Sequence, residues 1–71
     1  MWFTINKKSR TTGKVIRTLA NRVYCTSKEH AKQLASSVFN VNGNWREDGW
    51  CLVLFPYNEN GVYYTLSFRK Q

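Results

Sequence analysis

Negative charge is what this chain has least of. Four acidic residues stand against eleven lysines and arginines, and none precedes Glu29. The one acidic cluster, Glu47 with Asp48, lies in a polar turn-like stretch with no third acid nearby. It therefore reads as solvated rather than as an acid-base pair or a Mg²⁺ site. Histidine occurs once, at His30, and cysteine twice, at Cys25 and Cys51. That inventory supplies neither four zinc ligands nor a paired ligand spacing, and His30 has no nucleophile or carboxylate at triad spacing. No apolar run approaches the ~18 residues of a transmembrane helix, and there is no basic helix with a broad apolar face, so no membrane partner is expected. KSRTTGK, residues 8–14, holds a single glycine and no GxxxxGK[ST] pattern, which removes a phosphate loop. No catalytic constellation, metal set or cofactor fingerprint survives, and the expectation is a protein that binds rather than catalyses.

What is present is positive charge on a chain with enough apolar residues to fold. Its 71 residues make one domain, 1–71, and the 42% apolar and 15% aromatic shares are sufficient for a globular core. At this size such a core supplies only ~3–5 kcal/mol, so most of the aromatics are needed for packing. The formal charge of +7 favours an anionic partner, with a merely solvated basic face as the plain alternative. Lys7, Lys8, Arg10, Lys14, Arg17, Arg22 and Lys28 all come before the first acid. The opening Met1-Trp-Phe-Thr-Ile-Asn has a strand-like pattern and no signal-peptide character, which points to a reduced, cytoplasmic setting. Cys51 is then a small hydrophobe, and a Cys25 to Cys51 disulfide is the alternative.

The firmest local pattern covers residues 50–68. Asn60-Gly61 suits a two-residue type I′ hairpin loop. That loop places Phe55 opposite Leu66 and Val53 opposite Phe68. Cys51, Val53, Phe55, Tyr57, Val62, Tyr64, Leu66 and Phe68 would then face inward. Trp50, Leu52, Leu54, Tyr63, Thr65, Ser67 and Arg69 would face outward. Near the N-terminus, residues 2–7 alternate, with Phe3 and Ile5 as core and Trp2 on the outer face. The stretch Val15–Tyr24 has a helical apolar period but β-branched composition. Pairing with the first strand across KSRTTGK favours a strand, bulged near Ala20 and Asn21, and a helix remains the alternative. Thr26, Ser27, Lys28 and Glu29 form a capping box, predicting a helix over 27–39 whose stripe is Ala31, Leu34, Ala35, Val38 and Phe39. Lys28 and Lys32 lie one turn apart on its polar side. Residues 40–43 end the helix, and NWREDG reads as a second polar turn.

The expected architecture is α+β: a single-layer antiparallel sheet of about four strands with one helix packed on it, in the order β-β-α-β-β. One sheet face is left uncovered. Basic residues that neutralise phosphates, combined with aromatics on a sheet face that stack on bases, give the functional expectation. This is a nucleic-acid-binding protein, for DNA or RNA with little base specificity, of a kind that suits a bacterial or phage accessory protein. The candidate contacts are Lys7, Lys8, Arg10, Lys14, Arg17, Arg22, Lys28, Lys32, Trp50, Tyr63 and Arg69. The alternative is a protein-binding module, a homodimer or an inhibitor of a host protein. It would dock through an apolar outer patch of Trp50, Leu52, Leu54 and Tyr63. The chain lacks the aromatic signature of the RNA-recognition sheet and the GXXG loop of the KH domain.

Overall fold

A computed structural model describes residues 1–69. It contains β1 (Trp2–Ser9), β2 (Val15–Tyr24), α1 (Lys28–Ser37), β3 (Gly43–Asp48), β4 (Cys51–Pro56) and β5 (Val62–Arg69). The five strands form one antiparallel sheet in the order β2-β1-β5-β4-β3. The helix lies on one face. The α+β architecture therefore matches expectation, with five strands rather than about four. The extra strand is β3, taken from the sequence as a polar turn. Without it β4 would expose a row of unpaired backbone groups, and Trp45, half-buried against the core, supplies an inward side chain to hold it there.

β1 and β2 form the expected hairpin, but β1 runs on through Lys8 and Ser9, so the loop is residues 10–14 rather than all of residues 8–14. Phe3 and Ile5 are fully buried. β2 needs more residues than β1 to cover the same length, and its register slips three times, with one bulge between Ala20 and Val23 where Arg22 takes φ 55°. Those bulges explain why the segment mimics a helical period: each adds one residue, so apolar side chains return to the same face at intervals longer than two. Ile16 and Val15 remain exposed.

The capping residue is Ser27 rather than Thr26. The His30 backbone N–H donates to Ser27 Oγ at 3.0 Å. His30 reaches back in place of a glutamate, its Nδ1 accepting from the Thr26 N–H at 3.0 Å. Ala31 and Ala35 are fully buried, and their small side chains let the helix sit close to the sheet. Leu34 and Phe39 pack beside them, whereas Val38, expected on the stripe, is 60% exposed because the helix ends at that residue.

The β4–β5 register differs from the one predicted. Leu52 lies opposite Leu66, Val53 opposite Thr65 and Leu54 opposite Tyr64, and residues 57–61 form the loop. Gly61 has φ 78°, but Asn60 is not in the left-handed region that a type I′ turn demands at both central positions. The displacement is three residues, an odd number, so β5 keeps its predicted faces while those of β4 are exchanged. Leu52 and Leu54 are fully buried under the helix with Tyr64 and Leu66, and Val53 and Phe55 face away, half-buried. Two physical reasons favour this register. Both faces of β4 are apolar, so alternation did not choose between them. The predicted pairing also put Pro56, which has no N–H, within the paired length of the hairpin opposite Thr65, whereas here it ends the strand opposite Gly43. That approach is close: a Cβ on Gly43 would fall 2.1 Å from the Phe55 carbonyl oxygen. Cys25 is buried in the core and both cysteines are free.

Leu54→Ala should lower the unfolding free energy by ~2–5 kcal/mol, and Val53→Ala by about 1 kcal/mol or less. Urea denaturation that reversed this order would support the other register. Thr65, between Asn6 and Val53, keeps a buried hydroxyl with no partner among the described residues. Thr65→Val should raise stability by roughly 1 kcal/mol in the same assay, since an unsatisfied buried hydroxyl retains its desolvation penalty.

Candidate nucleic-acid interface

The face opposite α1 has no covering element. Register assigns to it Trp2, Thr4, Asn6 and Lys8 of β1, Tyr63, Thr65, Ser67 and Arg69 of β5, and Val53 and Phe55 of β4, with Asn44, Arg46 and Asp48 of β3. Tyr24 joins through its pairing with Trp2, and their rings meet edge to face at 5.2 Å between centroids. At the other end of the sheet Phe55 and Tyr63 lie 6.1 Å apart. Polar side chains between these pairs bond across strands, Thr18 Oγ1 donating to Asn6 Oδ1 and Thr4 Oγ1 to Asn21 Oδ1, each at 2.6 Å. These cross-strand bonds leave the aromatic rings uncovered by any other element, while the Thr65 hydroxyl on the same face is buried without a partner among the described residues.

Guanidinium groups stand on those rings. Arg22 lies 5.3 Å from the Trp2 centroid, and Arg10 and Arg46 lie 5.2 and 5.6 Å from that of Phe55. Stacking on an aromatic face holds a guanidinium in place while leaving its edge N–H groups free for an anion. Lys8 is in register with Tyr63 and Arg69 with Trp2. Lys8, Arg10, Arg22, Arg46 and Arg69 have no carboxylate partner among the described residues. Asp48, at the end of β3, is the one acid on this face.

The remaining candidate lysines are engaged elsewhere. Lys7 pairs with Glu59 at 2.8 Å, Lys28 with Glu47 at 3.8 Å and Lys32 with Glu29 at 3.4 Å. All three pairs belong to the helix side. Arg17 is opposite Lys7 on that side, where its charge acts on Tyr64, and Lys14 lies in the β1–β2 loop. Trp50 does not share a face with Tyr63 and Arg69. It occupies the two-residue β3–β4 turn, 63% exposed, with the Lys28 ammonium 6.0 Å from its ring. Gly49, φ 62°, opens that turn, so the tight hairpin loop of this chain is Gly49-Trp50 rather than Asn60-Gly61. Three surface residues escaped the sequence: Tyr24 and Phe55, both taken for packing or the wrong face, and Arg46, hidden in the supposed turn. With Leu52 and Leu54 in the core, the apolar outer patch proposed for protein docking does not form.

Glu59 forms a second cluster. It accepts from Lys7 Nζ and from the Tyr64 hydroxyl. The Lys7 bond, then the Tyr64 bond, hold its carboxyl below the ordinary value. Burial, reinforced by Glu59, pushes Tyr64 up to about 12. The polar hollow beside it, lined by Asn40, Val41, Asn42, Pro56, Asn58 and Glu59, measures about 210 Å³, below the ~300–1,000 Å³ of small-molecule pockets. Among the described residues no three His, Cys, Asp or Glu side chains are grouped to hold a metal ion, and no helix is long and apolar enough to cross a membrane. No protein-family model, curated protein or solved structure matches the chain.

The Glu59 cluster makes stability depend on pH at both extremes. A lowered carboxylate pKa gives a contribution present above the ordinary 4.5 and lost as pH falls through the folded value. A raised tyrosine pKa gives one present below 10 and lost as pH rises toward 12. Glu59→Gln should flatten the acid limb of stability against pH, and Tyr64→Phe the alkaline limb, as followed by thermal unfolding across pH.

Proposed function

We propose that this protein binds nucleic acid through the uncovered sheet face, with phosphate contacts from Lys8, Arg10, Arg22, Arg46 and Arg69 and little base specificity. One observation carries the proposal: the chain sorts its cations. On the helix side Lys7, Lys28 and Lys32 each pair with one of three of the four acids, while Arg10, Arg22 and Arg46 of the open face stand on aromatic rings with no carboxylate partner among the described residues. An anion approaching that face meets a concentrated positive field, and a planar anionic polymer also meets π surfaces. The mixed polar floor does not resemble a dimer interface, whose centre is apolar.

Salt titration tests it. If all five cations meet phosphates, the log-log slope of affinity against salt should approach −3.5 on a single strand, from about −0.7 for each contact. Replacing Arg10, Arg22 and Arg46 together by Gln should reduce that slope by about 2 units. Replacing Lys28 and Lys32 by Gln should leave it unchanged. Fluorescence anisotropy with labelled oligonucleotides reads both. A concentration-dependent doubling of mass abolished by Tyr24→Ala, with no oligonucleotide bound at low salt, would assign the face to a second copy of the chain instead.

A further inference from the structure

We infer that the ligand is a single, unpaired strand, laid along the β-strands between two aromatic and guanidinium stations. This rests on the nucleic-acid reading above and specifies its substrate. The first station is Trp2 and Tyr24 with Arg22 and Arg69. The second is Phe55 and Tyr63 with Arg10, Arg46 and Lys8. They sit at opposite ends of the sheet. Six residue steps along β1 lead from Trp2 to Lys8, roughly 20 Å at ~3.4 Å per residue. The floor between them carries short uncharged side chains, Thr4, Asn6, Thr18, Asn21 and Ser67 among them, whose hydrogen-bonding capacity is partly used across the strands. A strand is therefore gripped at two points and spans the middle, which fits on the order of four nucleotides, the short end of known site sizes.

A duplex does not suit this surface. Five strands spaced at ~4.8 Å make a sheet about 19 Å wide. The major groove, roughly 12 Å wide, admits a helix or a two-stranded ribbon. The one helix lies on the other face, so nothing projects from this one to enter a groove. Paired bases keep their faces inside the stack, out of reach of Trp2 and Phe55, whereas unpaired bases of any identity present a π surface to them. Two linked stations also multiply affinity, because the second contact becomes intramolecular.

The test uses fluorescein-labelled oligothymidylates of three and twelve nucleotides and a twelve-base-pair duplex. The twelve-mer should bind at least ~10²-fold more tightly than the three-mer. Removing the first station by Arg22→Gln with Tyr24→Ala, or the second by Arg10→Gln with Arg46→Gln, should weaken twelve-mer binding by about 5- to 150-fold, while the three-mer, served by either station, loses about twofold. A direct readout does not depend on weakening anything. With Trp45→Phe and Trp50→Phe leaving Trp2 as reporter, the twelve-mer should quench its emission and the duplex should not. Equal affinity for duplex and single strand with Trp2 emission unmoved would overturn this inference and leave the nucleic-acid reading standing. Equal binding of three-mer and twelve-mer would overturn the two-station arrangement. Failure of all three probes to bind at low salt would overturn the nucleic-acid reading itself.

Discussion

The pairing of the first strand with the last holds this architecture together. β1 and β5 match continuously from Trp2 opposite Arg69 to Ser9 opposite Val62. The pairing closes a loop of most of the chain, and because closure entropy grows only logarithmically, the span costs little more than a shorter one would. It joins the β1–β2 hairpin to the β3–β4–β5 meander and puts Phe3, Ile5, Leu66 and Phe68 under one helix. The chain is also pinned at its start, where the terminal ammonium donates to the Cys25 carbonyl at 3.0 Å and the Cys25 N–H donates to Met1.

One helix cannot cover two faces of a five-stranded sheet, and the composition of the open face follows from that. Trp2, Phe55 and Tyr63 are half-buried there while Tyr24 is exposed, and Thr4 and Thr18 bond to asparagines across the strands. Under the proposed function, the same features that keep such a face in water would receive a polyanion with flat bases. Arg10, Arg22 and Arg46 each cover an apolar ring and present a charge. On the helix side the demand is different: Lys7, Lys28 and Lys32 lie near the acids, and ion pairs lower the local field.

Composition alone showed that the protein was basic, but not where the charge acts, because pairing depends on which acid lies near which lysine in space. Lys7, paired with Glu59 more than fifty positions away, is indistinguishable in sequence from Lys8, which has no carboxylate partner among the described residues. Phe55 illustrates the same difficulty. Its face depended on whether Asn60-Gly61 formed a two-residue loop, and turn chemistry is a local preference worth less than burying two leucines. Tyr24 was readable as a strand end but not as a ring beside Trp2, since the bulge that aligns them is a tertiary adjustment.

The sequence by itself determined the elements with a local cause. The helix follows from its caps and alanine stripe, the β1 core from strict alternation, a β1–β2 turn within KSRTTGK from its polar residues and glycine, and the net charge from residue count. Tertiary structure decided what depends on competition between distant partners: that β3 pairs with β4, that Leu52 and Leu54 rather than Val53 and Phe55 lie beneath the helix, and that five cations gather on the open face. The physical reason is period. A strand apolar on both faces carries no alternation to read, so its orientation is set by the helix it must pack against, the proline it cannot pair and the acid that holds its loop.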